Sequence, residues 1–173
     1  AYKALEAAMA DLQRGEIDVL VTAPINKHNI QNEMFHFPGH TEYLEQCCGK
    51  GKKALMILMK DELRIALVTG HIPVSEIASH ITEDAIVSKL QIFNQSLKQD
   101  FAIERPRIAV LSLNPHAGDA GLIGKEEEDC IKPAMVEAEK RGVMCFGPFP
   151  TDGFFGASMY EHFDGVLAMY HDQ

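Results

Sequence analysis

The stretch LRIALVTGH (residues 63–71) is an apolar run that ends at a histidine, and this pattern indicates the fold class because it recurs along the chain. Two more runs repeat the pattern: Ile108–Leu113 is followed by His116, and Val166–Tyr170 by His171. Each run has the composition of a buried β-strand. Because ligands bind beyond the carboxyl ends of the strands in open α/β sheets, the pattern predicts three imidazoles around one crevice.

Three neutral imidazoles in such a crevice can hold a divalent metal ion and leave coordination positions open for a substrate. We therefore expect His71, His116 and His171 to be metal ligands. Imidazole ligands leave Zn²⁺, Co²⁺, Ni²⁺ and Mn²⁺ as alternatives, and Mg²⁺ also stays open.

Segments with helical periodicity alternate with the apolar runs, which predicts a layered α/β/α fold around a mixed, mostly parallel sheet. The polar connection Lys60–Glu62 predicts an antiparallel hairpin. Loops are expected at Asn114–Gly124 and Pro148–Gly156, and the acidic run Glu126–Asp129 is interpreted as a solvated first helical turn. The other predicted elements are helices over Ala1–Arg14, Asn26–Met34, Thr41–Cys48, Thr82–Asp100 and Lys125–Arg141, and strands over Asp18–Thr22, Ala54–Met59 and Val143–Phe146.

Composition excludes several classes of protein. With 46% hydrophobic and 24% charged residues the chain can bury a core, and a net charge of −9 opposes binding to nucleic acid. No apolar run has the length of a membrane helix, and no signal peptide is recognisable. The four cysteines form no Cys-x-x-Cys pair, which favours free thiols in a reducing cytoplasm. The chain starts in mid-helix and stops just after His171, so we expect a piece of a longer protein.

Three motifs point to ligand binding. In Gly39-His40-Thr41, the glycine permits close approach, and free backbone N–H groups at a helix start would bind an anion, with Thr41 as the cap. The alternative is an ordinary helix cap with a surface histidine. The loop from Asn114 to Gly121 is rich in small residues around His116, which suits a ligand, although the histidine could be incidental. Asp172, beside His171, could orient a ligand imidazole or act in acid–base chemistry.

Taken together, these segments resemble the 4-hydroxythreonine-4-phosphate dehydrogenase family of pyridoxal phosphate (vitamin B6) biosynthesis. The matching segments, in order, are VTAPINK (residues 21–27), GHTE (39–42), GHIP (70–73), NPHAG (114–118) and AMYHDQ (168–173). The resemblance implies an isocitrate/isopropylmalate dehydrogenase-like fold.

The resemblance also implies roles for individual residues. His71, His116 and His171 match the family's metal ligands, and His40 and Thr41 match its contacts to the phosphorylated substrate. Asp152 and Asp172 match aspartates near the metal, which we expect to be catalytic. The implied reaction is NAD-dependent oxidation (NADP is the alternative) of a phosphorylated hydroxy-amino acid, followed by decarboxylation. The implied assembly is a homodimer with the metal site at the subunit interface.

The family's chain is longer on both sides, so residues 1–173 correspond to a central portion of a two-domain enzyme that carries dimerisation, metal and substrate sites. We expect most of the NAD site to lie elsewhere and the isolated portion to be inactive. Three other functions stay open. The first is a dehydrogenase of threonate or erythronate 4-phosphate, and the second is a metal-dependent lyase or hydrolase without NAD. The third is a non-catalytic binding or dimerisation module.

Overall fold

The computed structural model describes residues 2–26, 29–30, 36–37, 39–48, 51 and 53–173. They form two compact units, Ala1–Ala54 and Leu55–Gln173. Within the described residues, no helix combines the length and apolar composition that a bilayer span needs. All four cysteines are free thiols, as the sequence predicts.

The first unit contains helix α1 (Tyr2–Arg14) and helix α2 (His40–Cys48), as predicted. The strand predicted over Asp18–Thr22 is wrong, because the segment is irregular and leaves the Val21 side chain 90% exposed. The backbone N–H and C=O groups of a strand need a neighbouring strand as hydrogen-bond partner. The described part of this unit contains no strand that could pair with this segment. Most of the helix predicted over Asn26–Met34 lies outside the described residues. The buried core of the unit consists of Leu5, Met9, Ile30 and Tyr43.

The second unit is built on a five-stranded sheet with the order β1-β2-β5-β3-β4. Strands β1 and β2 form the predicted antiparallel hairpin, whereas β2, β5, β3 and β4 run parallel to one another. The mixed, mostly parallel sheet is thereby confirmed. The strands are β1 (Ile57–Lys60), β2 (Leu63–Leu67), β3 (Arg107–Leu111), β4 (Met144–Phe149) and β5 (Gly165–Ala168).

Helices cover both faces of this sheet, which confirms the layered architecture. They are α3 (Ile77–His80, after a 3₁₀ turn at Val74–Glu76), α4 (Glu83–Gln99), α5 (Lys132–Lys140) and α6 (Thr151–Gly156), with a further 3₁₀ turn at Met159–His162.

Alternate residues of the central strands point to opposite faces of the sheet, as strand geometry requires. Ile108 and Val110 pack into the core that contains α4 and α5, whereas Ala109 and Leu111 pack against Phe154 of α6. Helix α4 begins where the sequence predicts, because Thr82 caps it: the Ala85 N–H donates to Thr82 Oγ1 at 3.2 Å.

Three predicted elements differ from the structure. The strand predicted over Ala54–Met59 begins only at Ile57 and ends at Lys60. The segment Lys125–Arg141 is not one regular helix: it begins with a π-helical turn at Glu127–Ile131 and becomes α-helical at Lys132. The predicted loop Pro148–Gly156 contains the end of β4 and then α6. Glycine and proline favour a loop when they are read locally, but here they stand at a strand end and in a short helix.

Candidate functional site

The carboxyl ends of four adjacent parallel strands carry most of the predicted site residues. His71 follows β2, His171 follows β5, His116 follows β3 and Asp152 follows β4. Because the four strands are parallel neighbours, these residues lie along the same edge of the sheet. This is the edge at which open α/β sheets bind ligands.

His71 and His171 lie side by side at this edge, with their ring centroids 5.4 Å apart. Two imidazoles that share a tetrahedral metal ion at about 2.0–2.1 Å place their ring centres about 5 Å apart, so the pair fits such an ion. They line a cleft of about 430 Å³ together with Tyr170 and Asp172. Asp172 Oδ1 lies 3.4 Å from His171 Nδ1, and the carboxylate is otherwise largely exposed. Asp172 can therefore orient the His171 ring while Nε2 faces a ligand.

His116 and Asp152 lie in a neighbouring cleft of about 380 Å³. Its wall includes Tyr170 and Gln173, and Tyr170 also lines the cleft of His71 and His171. Asp152 Oδ1 accepts a hydrogen bond from the Gly153 N–H at 2.8 Å, and both residues belong to the first turn of α6. Asp152 is exposed, so its carboxylate can accept a proton or a hydrogen bond from a ligand hydroxyl.

The three predicted histidine ligands are not gathered at one point within this chain. Across the described residues, no three histidine, cysteine, aspartate or glutamate side chains are close enough to hold a metal ion. The structure brings His71 and His171 together and places His116 in the neighbouring cleft, with Tyr170 lining both clefts.

Gln173 ties the turn that carries His171 to two other strand ends. Its Oε1 accepts from the Met169 N–H at 2.6 Å, and its Nε2 donates to Thr151 Oγ1 at 2.8 Å and to the Ser112 carbonyl oxygen. One amide thereby joins the segments that follow β5, β3 and β4. Sequence reasoning quoted this residue as part of a motif but assigned it no task.

Glu127 is a second residue whose role the sequence did not predict. The interpretation of Glu126–Asp129 as a solvated turn is wrong for this residue. The Glu127 side chain is completely buried, whereas Glu128 beside it is exposed and pairs with Lys132. Glu127 accepts hydrogen bonds from Leu113 and Asn114, which lead into the His116 loop. Asn114 also donates to Glu126 Oε2 at 2.7 Å, and this bond is the main reason why the pKa of Glu126 is lowered. A run of four acidic residues predicts solvent exposure, so the sequence gives no sign that Glu127 is buried.

In the first unit, His40 is the first residue of α2, and Thr41 lies within its first turn. The helix starts one residue earlier than predicted, so Thr41 is not its cap. His40 also borders a cleft of about 280 Å³ whose other walls come from α1 and the segment around Pro24. Tyr43, one turn further along, is buried, and burial raises the pKa of its hydroxyl to about 12. In the first turn of the helix, His40 and Thr41 are half-buried and Glu42 is exposed.

Comparisons with known proteins identify the family to which this chain belongs. The sequence model of the family "Pyridoxal phosphate biosynthetic protein PdxA" matches residues 1–173. The chain belongs to the PdxA family. A 4-hydroxythreonine-4-phosphate dehydrogenase from Bacteroides thetaiotaomicron is 62% identical over 173 residues, which are 100% of this chain and 48% of that protein. This PdxA chain therefore spans about half the length of the curated relatives that it matches.

Solved structures also resemble this PdxA chain. The 4-hydroxythreonine-4-phosphate dehydrogenase of Klebsiella pneumoniae superposes with a TM-score of 0.90 at 32% identity, over 99% of this chain and 51% of that one. A terephthalate 1,2-cis-dihydrodiol dehydrogenase of Burkholderia xenovorans has a TM-score of 0.75 at 22% identity, over 97% of this chain and 52% of that one, and shows a shared fold only. The fold is the isocitrate/isopropylmalate dehydrogenase-like one that the resemblance implied.

Proposed function

We propose that this chain is the central portion of a two-domain 4-hydroxythreonine-4-phosphate dehydrogenase that oxidises 4-phosphohydroxy-L-threonine with NAD and then decarboxylates the product. The observation that carries the proposal is the row of His71, His171, His116 and Asp152 at four adjacent strand ends. The 62% identity to the Bacteroides enzyme supports the choice of substrate. The chain lacks a Gly-x-Gly-x-x-Gly motif, so we propose that the nicotinamide site is formed mainly by parts of the enzyme that this chain does not span.

We propose that His71, His116 and His171 hold one divalent cation, for which the spacing of His71 and His171 is suitable. When bound, the cation would act as a Lewis acid that stabilises negative charge on the substrate. Asp172 would keep the His171 ring in the orientation that directs Nε2 into the cleft. Asp152 would accept the proton of the substrate hydroxyl while the hydride leaves carbon for NAD. The resulting 3-oxo acid would then lose its carboxylate as CO₂, and a proton would take the place of the carboxylate on the same carbon.

His40 and Thr41 would bind the phosphate of the substrate. The first N–H groups of a helix have no partner within the helix, and the positive end of its dipole attracts an anion. The first turn of α2, in which His40 and Thr41 are half-buried, provides such N–H groups. The Thr41 hydroxyl and the His40 ring add further donors.

We further propose that the metal site is completed across a homodimer, with the His71–His171 pair of one subunit and His116 of the other. The separation of His116 from that pair within one chain supports this arrangement. Coexpressing His71→Ala and His116→Ala subunits tests it, because a mixed dimer would contain one intact site of two. Activity of about a quarter of wild type is then expected from random pairing. Mixed dimers as inactive as each parent would place all three ligands in one subunit.

The reaction itself is tested with the full-length protein, NAD, a divalent metal and 4-phosphohydroxythreonine, with NADH and CO₂ both measured. We expect both products to appear together, and an Asp152→Asn variant to lose them by 10²–10⁴-fold, about the contribution of a positioned general base. Asp129→Asn, an exposed acid on the same unit, is the matched control. Faster turnover of threonate 4-phosphate would assign the substrate to sugar acids, and product formation without NAD would indicate a lyase or hydrolase.

A further inference from the structure

Glu127 is a completely buried carboxylate near the candidate site, and it shares the Asn114 side-chain amide with Glu126. Among the described residues, no lysine, arginine or histidine forms an ion pair with it. Its Oε1 accepts from the N–H groups of Leu113 (2.8 Å) and Asn114 (2.7 Å), and its Oε2 accepts from Asn114 Nδ2 (2.9 Å). Burying a carboxylate is costly unless hydrogen bonds compensate, and here all three donors belong to two adjacent residues. The Glu127 carboxylate therefore holds the backbone and side chain of one short segment, Leu113–Asn114.

The point that Glu127 holds is the entrance to an unusual turn. From His116 to Ala120, five consecutive residues have φ between 44° and 77°, and four of them are not glycine. This left-handed conformation is sparsely populated by residues with a side chain and persists only where the surroundings impose it. The turn carries His116, so whatever imposes the conformation also sets the direction of the imidazole.

The middle of the turn rests directly on the same carboxylate. A Cβ added at Gly118 would lie 2.7 Å from Glu127 Oε2 and 2.9 Å from the Gly124 carbonyl oxygen. A Cβ added at Gly124 would meet the Asn114 side-chain amide at 2.3 Å. Glu127 thus contacts the turn at its entrance and at its centre, and glycine is required where the two approach.

The π-helical turn explains why Glu127 and not its neighbours points inward. The Lys132 N–H donates to the Glu127 carbonyl oxygen, five residues back, which widens the helix at this position. Glu128 on the outer side is exposed and pairs with Lys132. π-Helical turns are frequent at functional sites, and this one aims a carboxylate at the base of the His116 turn.

We propose that Glu127 is a positioning residue for His116: it fixes the left-handed turn in the form in which the imidazole can coordinate the metal ion. This inference rests on the proposed function, because it assumes that His116 is a ligand. It assigns Glu127 no direct contact with substrate or metal. Its effect passes through Asn114 and the turn.

The test compares Glu127→Gln with Glu128→Gln and His116→Ala in the full-length protein. Glutamine keeps the shape but replaces one acceptor oxygen by an NH₂ group, which must then face a donor of Leu113 or Asn114. We expect 10- to 100-fold weaker Co²⁺ binding in Glu127→Gln, the range usual for lost outer partners of a metal ligand, with an altered Co²⁺ absorption spectrum. Glu128→Gln should bind Co²⁺ like the wild type.

A second readout needs no metal. In the metal-free protein, the amide protons of Leu113 and Asn114 should exchange with solvent faster in Glu127→Gln, while those of α4 do not change. If Glu127→Gln does not fold, Asn114→Ala removes the side-chain link and leaves the two backbone bonds to Glu127, and it should also weaken Co²⁺ binding.

Four outcomes are distinguishable. Weaker Co²⁺ binding in Glu127→Gln together with faster exchange at Leu113 and Asn114 supports the proposal. Lower thermal stability with unchanged Co²⁺ affinity and spectrum would overturn it, because Glu127 would then be structural only. Normal Co²⁺ binding by His116→Ala would overturn the metal site of the proposed function and this inference with it. Loss of Co²⁺ binding in His116→Ala, but not in Glu127→Gln or Asn114→Ala, would overturn the inference alone.

Discussion

Replacing Gln173 by alanine removes all three hydrogen bonds that join the His171 turn to the neighbouring strand ends. Met169 is completely buried and Ser112 is nearly so, so their freed N–H and carbonyl groups cannot all reach water. A typical intramolecular hydrogen bond contributes about 1 kcal/mol net, and a buried group left without a partner costs more. We therefore expect the free energy of unfolding to fall by about 2–4 kcal/mol.

The assay is urea unfolding of the 173-residue chain, followed by circular dichroism, with Gln99→Ala as the matched control. Gln99 ends helix α4 on the surface, and among the described residues its side chain bonds only to Gln95, so its replacement should change stability by about 0.5 kcal/mol or less. A Gln173→Ala variant within 0.5 kcal/mol of that control would refute the reasoning. It would mean that the amide does not hold the strand ends together.

Three further predictions concern other parts of the chain. In the full-length protein, Thr41→Ala should raise the KM for the phosphorylated substrate about 10- to 100-fold, because one charge-assisted hydrogen bond is lost. Thr82→Ala, which removes only a helix cap, should leave KM unchanged. Equal KM values in the two variants would exclude Thr41 as a phosphate ligand. Burial raises the pKa of the Cys145 thiol to about 11, so the folded state favours the protonated thiol. The free energy of unfolding should therefore fall as pH rises from 9 to 11, and it should fall less in Cys145→Ala. Identical pH profiles of the two proteins would contradict this. Gly165→Ala would place a Cβ 2.4 Å from Phe93 Cζ and should cost about 1–3 kcal/mol in urea unfolding, whereas Gly153→Ala, which meets nothing within 4 Å, should not.

The fold of the second unit could be predicted from sequence because its signals are local and mutually consistent. The apolar runs at Ile108 and Val166 form buried strands, Thr82 caps its helix, and the polar turn at Lys60–Glu62 forces a hairpin. The strand predicted over Asp18–Thr22 failed because pairing is not a local property. An apolar segment becomes a strand only where another strand offers its backbone groups.

The site could be predicted only in part for a similar reason. The position of each histidine after a strand is visible in the sequence, and the parallel order of β2, β5 and β3 then brings them to one edge. The sequence does not reveal that His116 lines a different cleft from His71 and His171. Nor does the sequence reveal that Glu127 is buried, because a π-helical turn changes which side of the helix a residue lies on. Both depend on backbone geometry that residue types do not encode locally.

Metal content, measured by elemental analysis on the full-length protein and its His→Ala variants, tests most directly whether the three histidines bind one ion. His162, an exposed histidine on a 3₁₀ turn, serves as the control. We predict about one metal ion per subunit in the wild type and in His162→Ala, and a loss of most of it in each of His71→Ala, His116→Ala and His171→Ala. Near-normal metal in all three variants would contradict the proposed site.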